Sequence, residues 1–146
     1  MNREIAILLT CCFLGGCGKP DSLSNEDLTN NDCLSADFLC IRVENTSDID
    51  FDSFEVHFPD QVEKFGGLGT GQISAYRKID RAYRYAYTEA FSGGRRFVLQ
   101  PIDFVGERFV RPGIYTYQYS ATVLEEPWVK GDWVLHGSLH VKLKVD

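Results

Sequence analysis

Long hydrophobic runs are the first thing this sequence lacks. The longest spans Ile5 to Leu14, 10 residues, and a helix needs about 20 to cross a ~30 Å hydrocarbon core, so no membrane-spanning helix is expected. Positive charge is scarce too. Against 21 Asp and Glu stand 15 Lys and Arg, for a net charge of −6 and a pI near 5.0. Nucleic acid is therefore not an expected partner, because binding phosphates demands a basic surface. No stretch long enough for a helix repeats its apolar residues at the helical period. Catalytic signatures are missing as well: there is no Gly-x-Ser-x-Gly elbow to expose a nucleophile, and nothing singles out a pair of carboxylates. The glycine run Gly66–Gly71 lacks the Gly-Lys-Ser/Thr ending and the following helix that would cradle a phosphate, so it reads as a flexible connection. Asp48, Asp50 and Asp52 are spaced like the opening of a calcium loop, but Ser53 and Pro59 occupy the places that need Gly and Glu. They read as a solvated acidic edge. His136 and His140 would share a metal on a helix; on a strand they stand about 13 Å apart, beyond one ion's reach. No catalytic residue, metal site or cofactor is expected.

What is present is a foldable composition, 44% apolar and 25% charged over 146 residues, the size of one domain. Apolar and polar residues alternate repeatedly: Ile41 and Val43; Phe54, Val56 and Phe58; Tyr83, Tyr85 and Tyr87; Tyr115, Tyr117, Tyr119, Ala121 and Val123; and Leu135, Leu139, Val141, Leu143 and Val145. Such alternation marks half-buried strands. Turn residues separate them at Asn45-Thr46-Ser47, Gly93-Gly94, Gly106, Pro112-Gly113 and Lys130-Gly131-Asp132, and Gly93-Gly94 suits a tight hairpin. The pattern predicts an all-β domain over residues 37–146, an antiparallel β-sandwich of about seven strands, with a small β-barrel as the alternative.

Charge and tyrosine are unevenly spread. Residues 17–76 carry a net −9 and residues 77–111 a net +4, and all seven tyrosines fall between Tyr76 and Tyr119. Tyr and Arg are the residues enriched at interface hot spots. If a partner-binding face exists, its candidates are Tyr76, Arg77, Arg81, Arg84, Arg95 and Arg96. The competing reading has the tyrosines filling the core and the arginines facing acidic strands of the same domain.

The amino-terminal apolar run has the length of a signal-peptide h-region, and Leu14-Gly15-Gly16-Cys17 follows it. That tetrapeptide resembles the lipobox of bacterial lipoproteins, an aliphatic residue, two small residues and a cysteine. The resemblance implies a signal peptide over 1–16, lipidation at Cys17, and a permanent membrane anchor of several acyl chains. With Gly18 rather than Asp next, it also implies the outer membrane where the host has one, the domain facing the periplasm. Residues 17–36 are polar and read as a tether reaching roughly 25 Å. Of the five cysteines, Cys11 and Cys12 would leave with the signal, so Cys33 and Cys40 remain in an oxidising compartment and are expected to pair. Zinc would need two further ligands, and none is near.

Pro112-Gly113-Ile114-Tyr115 resembles the Gly-x-Tyr start of the penultimate strand in immunoglobulin-like domains, where a tyrosine hydroxyl bonds back to the preceding corner. Together with Val43-Glu44-Asn45-Thr46-Ser47 and Gly71-Gln72-Ile73-Ser74-Ala75-Tyr76, it is similar to small uncharacterised bacterial lipoproteins with one such domain. These motifs are turn-and-strand grammar and transfer no catalytic residue. The expected role is a lipid-anchored envelope protein whose domain binds or braces another envelope protein or an anionic cell-wall polymer. Two alternatives are a periplasmic inhibitor of a lysozyme or peptidase, inserting Gly66–Gly71 or Glu125–Asp132, and a carbohydrate-binding module with a flat exposed platform of tyrosine rings or of Trp128 and Trp133.

Overall fold

Strand β1 (Leu39–Asn45) shows how the sequence is read by the fold: Leu39, Ile41 and Val43 are buried while Arg42 and Glu44 between them keep contact with solvent. The computed structural model describes Cys33 and residues 37–146. The expected signal peptide over 1–16, lipidation at Cys17 and all of the 17–36 tether but Cys33 lie outside the described residues. Seven more strands follow: β2 (Ser53–His57), β3 (Val62–Lys64), β4 (Arg77–Ile79), β5 (Tyr87–Ser92), β6 (Arg95–Leu99), β7 (Gly113–Lys130) and β8 (Trp133–Val145). There is no helix among the described residues.

The all-β expectation holds, but the antiparallel two-sheet sandwich does not. All eight strands belong to one sheet in the order β3-β2-β5-β6-β8-β7-β1-β4, curled almost into a closed barrel, close to the alternative architecture. It is a mixed sheet. β1 runs parallel to β7, from Leu39 opposite Gly113 to Asn45 opposite Tyr119, and β6 runs parallel to β8 through Phe97 and Gly137. Alternation reports which face a residue occupies and says nothing about the neighbouring strand or its direction.

Side chains draw the two ends of the sheet together. Gln61, just before β3, accepts a hydrogen bond from Asp80 N (2.9 Å) and donates one to Lys78 O (3.1 Å). One amide thus does for the edge at β4 what a neighbouring peptide group would do. Around it, Arg81 grips both carboxylate oxygens of Asp60 and Arg77 pairs with Glu63 at 3.9 Å. An edge braced this way is less open to pairing with another chain.

The core is aromatic. Phe51 meets Phe54 and Phe97 edge to face, each with ring centroids 5.6 Å apart, and Phe54 meets Tyr119 at 4.8 Å. Tyr117 and Tyr119 are fully buried, so of the two tyrosine readings these rings belong to core filling. Their hydroxyls are satisfied: Tyr119 Oη pairs with Thr88 Oγ1 (2.9 Å) and Tyr117 Oη donates to Tyr83 O. Burial pushes both phenols far above their ordinary value. A disulfide joins Cys33 to Cys40, whose Cα atoms are 5.6 Å apart. Tyr115 Oη donates to Arg111 O (3.1 Å), a bond from strand back to corner.

Three expectations about local structure change. The alternating Tyr83 and Tyr85 lie outside any strand, and only Tyr87 opens β5. Their rings stack on Phe104 instead, so they are ordered without a ladder. The glycine run is not a slack connection: Leu68 within it is buried and exchanges backbone hydrogen bonds with Phe51 (3.1 and 2.8 Å). The acidic edge is partly structural, since Asp50 accepts a bond from Thr70 N and Asp52 one from Gly93 N, each at 2.7 Å. The second of these braces the β5–β6 hairpin, whose Gly93 and Gly94 have φ of 54° and 77°, the left-handed pair that a two-residue turn requires.

Candidate functional site

β7 and β8, at 18 and 13 residues, run beyond the rest of the sheet, where no other strand exceeds 7. Their ladder is regular from Tyr115 opposite Val145 to Val123 opposite Gly137, then slips to Trp128 opposite Leu135. β7 therefore uses five residue steps where β8 uses two. Such a bulge bends the ribbon, and Pro127, which cannot donate to a ladder, falls inside it. Beyond the bulge a short arm turns at Gly131, whose φ is 60°.

The arm folds over the outside of the barrel. Along β8, Trp133 and Leu135 share parity with the buried Leu139, yet the residues they meet are Arg96 and Val98 of β6, of opposite parity to the buried Phe97. The ribbon has turned over at Gly137. A Cβ there would lie 2.4 Å from the Phe97 ring and 2.5 Å from Thr122 O, so glycine is what lets the strands cross so closely.

Between arm and barrel lies a cleft of about 440 Å³, in the size range of small-ligand sites. Tyr87, Arg96 and Val98 form its floor, and Trp128, Lys130, Trp133 and Leu135 its roof, with Gln100 at the rim. Pairing of Trp128 with Leu135 and of Lys130 with Trp133 puts all four on one face of the arm. Both tryptophans remain largely open, 54% and 58% exposed.

The floor is fixed electrostatically. Arg96 donates to Glu89 Oε1 and, at 3.2 Å, to Tyr87 Oη, while its guanidinium lies 4.1 Å from the centre of the Trp133 ring. Its backbone N–H donates to His136 Nδ1 at 3.1 Å. Burial, then the hydrogen bond to Glu89, pushes the Tyr87 phenol up to about 12. Burial alone would raise Glu89, but the bonds from Tyr87 and Arg96 win and hold it below its ordinary 4.5. A carboxyl with a depressed native pKa stabilises the fold above its unfolded value and loses that contribution as pH falls through the native one. Melting temperature is therefore expected to be level from neutrality to about pH 5 and to fall below about pH 4. Glu89→Gln removes the titrating group and should shrink that fall in a pH series followed by circular dichroism. It should not abolish it, because Asp146, bonded by Thr116, Tyr76 and Lys144 against the cost of burial, is also held below its ordinary value.

The six residues marked as a possible partner face sit at four places. Tyr76 lies under the Arg42 guanidinium (4.7 Å) and donates to Asp146, Arg77 and Arg81 are at the seam, Arg84 lines a separate cleft beside β8, and Arg95 and Arg96 open β6. Of these only Arg96 belongs to the tryptophan cleft. Arg77, Arg81 and Arg96 each face a carboxylate of their own domain. Residues the sequence reading passed over are Tyr87 and Gln100 as cleft walls, and Gly137 as the pivot. Gly137 carries a sequence signal, a lone glycine interrupting the alternation of the last strand. His140 is exposed, as its solvated reading expects, with Nε2 3.3 Å from Thr122 Oγ1, whereas His136 is half-buried and accepts a hydrogen bond from Arg96 N.

The chain matches no protein-family model and no curated protein. A protein from Eubacterium rectale solved by NMR is similar at 13% identity, covering 72% of this chain and 88% of that one with a TM-score of 0.47, a likeness too loose to carry an argument.

Proposed function

We propose that this is a lipid-anchored, non-catalytic binding protein of the bacterial cell envelope, and that its domain holds an envelope glycan in the cleft beneath the β7–β8 arm. The observation that carries this is the exposure of Trp128 and Trp133 on one face of the arm. Sugar rings present flat C–H faces to aromatic rings and hydroxyls to polar groups. Here Lys130 and Gln100 stand beside the rings, and Lys130 makes no ion pair among the described residues. The anchor is supported by Leu14-Gly15-Gly16-Cys17, and Gly18 supports the outer membrane with the domain facing the periplasm. Peptidoglycan fits both the compartment and a cleft whose donors favour acidic sugars.

These are the chain's two tryptophans, so their fluorescence reports on the cleft alone. Soluble peptidoglycan fragments and lipopolysaccharide core oligosaccharide, titrated separately, are expected to shift and quench the emission for at least one of them. Trp128→Ala should weaken that binding about tenfold through lost aromatic contact. Emission unmoved by every glycan retires the reading.

A second reading rests on the arm's other face, where Val129 and Val134 pair and are also exposed. An arm apolar on both sides suits insertion into a protein cleft, as an inhibitor of a lysozyme or peptidase would do. Loss of such inhibition in Val129→Asp, with glycan binding unchanged, would favour it.

A further inference from the structure

The loop over residues 100–112, between β6 and β7, has an apolar tip. Ile102 is 99% exposed and Val105 89%, with Phe104 and Phe109 also open to solvent. The tip is held out by design of the packing beneath it. Tyr83 stacks on Phe104 with ring centroids 4.4 Å apart and on Phe109 at 4.6 Å, and Tyr85 stacks on Phe104 from 5.5 Å. Tyr85 Oη donates to Asp103 O (3.3 Å), and Val110 N bonds Ala82 O (2.8 Å). Aliphatic side chains fixed outward on a stapled loop cannot collapse inward, so they stay available to a surface that excludes water.

The second half of the same loop carries cations, beside one acid, Glu107. The loop and the end of β8 enclose a cleft of about 800 Å³ whose walls include Arg84, Arg108, Arg111 and Lys142. None of the four makes an ion pair among the described residues. The loop has two acids of its own: Asp103 Oδ1 accepts from Val105 N (3.2 Å), and Glu107 Oε1 lies 3.5 Å from Tyr85 Oη, which also faces Asp103 O. Exposed aliphatic residues and arginines without ion pairs on one loop match a surface that is apolar beneath and anionic above.

We infer that the loop over residues 100–112 docks on an anionic lipid surface, with Ile102 and Val105 entering the headgroup–acyl boundary and the cations around the cleft meeting headgroup phosphates. This goes beyond the glycan reading and uses none of its residues. An acyl anchor tethers a domain without orienting it; the loop would fix which way the domain faces.

Hydrogen–deuterium exchange of the full chain, mixed with vesicles and followed by mass spectrometry, tests this locally, however the chain reaches the bilayer. On phosphatidylglycerol vesicles the 100–112 peptides are expected to exchange several-fold more slowly than on phosphatidylcholine vesicles. Ile102→Asp with Val105→Asp should remove that protection, and Arg84→Glu with Arg108→Glu should cut it roughly by half, both without lowering the melting temperature. Soluble glycerol 1-phosphate should not reproduce it. Equal exchange on both vesicle types overturns the inference. So does equal protection by glycerol 1-phosphate alone, which would make the cleft a phosphate site rather than a membrane contact.

Discussion

Replacing Asn45 by alanine is expected to cost about 3–4 kcal/mol of stability. Asn45 ends β1 and is completely buried. Its Nδ2 donates to Ile49 O (2.7 Å) and Leu68 O (2.9 Å), and its Oδ1 accepts from Ser47 N (3.0 Å) and Ser47 Oγ (2.6 Å). The main chain adds bonds to Gln72 O (3.0 Å) and from Gly71 N (2.8 Å). One side chain therefore ties the turn after β1 to the glycine-rich segment. Alanine removes four hydrogen bonds, each worth roughly 0.5–1.5 kcal/mol net, and strands the buried Ser47 N–H, while Leu68 O keeps its bond from Phe51 N (3.1 Å) and Ile49 O the one from Ser47 Oγ (3.3 Å). Partial opening of the loops recovers some of that sum. Urea unfolding should show a lower midpoint at unchanged slope, and the melting temperature should fall by about 12–20 °C. Asn45→Asp is the sharper variant: it keeps the acceptor but turns a negative oxygen toward two carbonyls, so it should destabilise at least as much. A loss under about 1 kcal/mol in both would mean that water replaces the amide and that the two loops are not tied there.

The strands and the core were legible because period-two alternation records burial directly. Phe54 and Val56, Tyr117 and Tyr119, and Leu139 all lie where their parity puts them. The order and direction of strands were not legible, since the parallel contact of β1 with β7 joins segments about seventy residues apart and leaves no mark on either. Two local misreadings have a common cause. Tyr83 and Tyr85 alternate like a strand but are held by ring stacking, and Leu68 sits in a run of glycines yet is core. In each case the tertiary partner, Phe104 for one and Phe51 for the other, decides the outcome over local preference.

The candidate site was half legible. Trp128 and Trp133 stood out by type, and Lys130-Gly131-Asp132 by turn chemistry. That they face β6 across a cleft depends on a bend no periodicity encodes: three surplus residues on β7 and an arm whose parity inverts relative to the barrel. The arginines stood out by density, and the structure separates them by what they touch. Arg81 and Arg77 brace the seam, Arg96 builds the floor beneath Trp133, and Arg84 has no carboxylate partner among the described residues.

Gly137→Ala is the change expected to separate arm from barrel. The added methyl meets the Phe97 ring at 2.4 Å and Thr122 O at 2.5 Å. One is a side chain in a packed core and the other is backbone of the paired strand. Neither can retreat without moving β6 or β7, and overpacking of this kind costs about 1–3 kcal/mol. The strain has an obvious release, which is for the arm to swing away at its pivot. That would pull Trp133 off the Arg96 guanidinium, now 4.1 Å from its ring, and open the cleft. A red-shifted, more quenchable tryptophan emission and a weaker glycan response should therefore accompany the drop in melting temperature. Phe97→Leu alone creates a small void and costs stability. Combined with Gly137→Ala it should cost less than the two single changes together, because the methyl then has somewhere to go. Strict additivity, with emission unchanged, would show that the arm does not pivot at Gly137 and that the cleft owes its shape to the bulge alone.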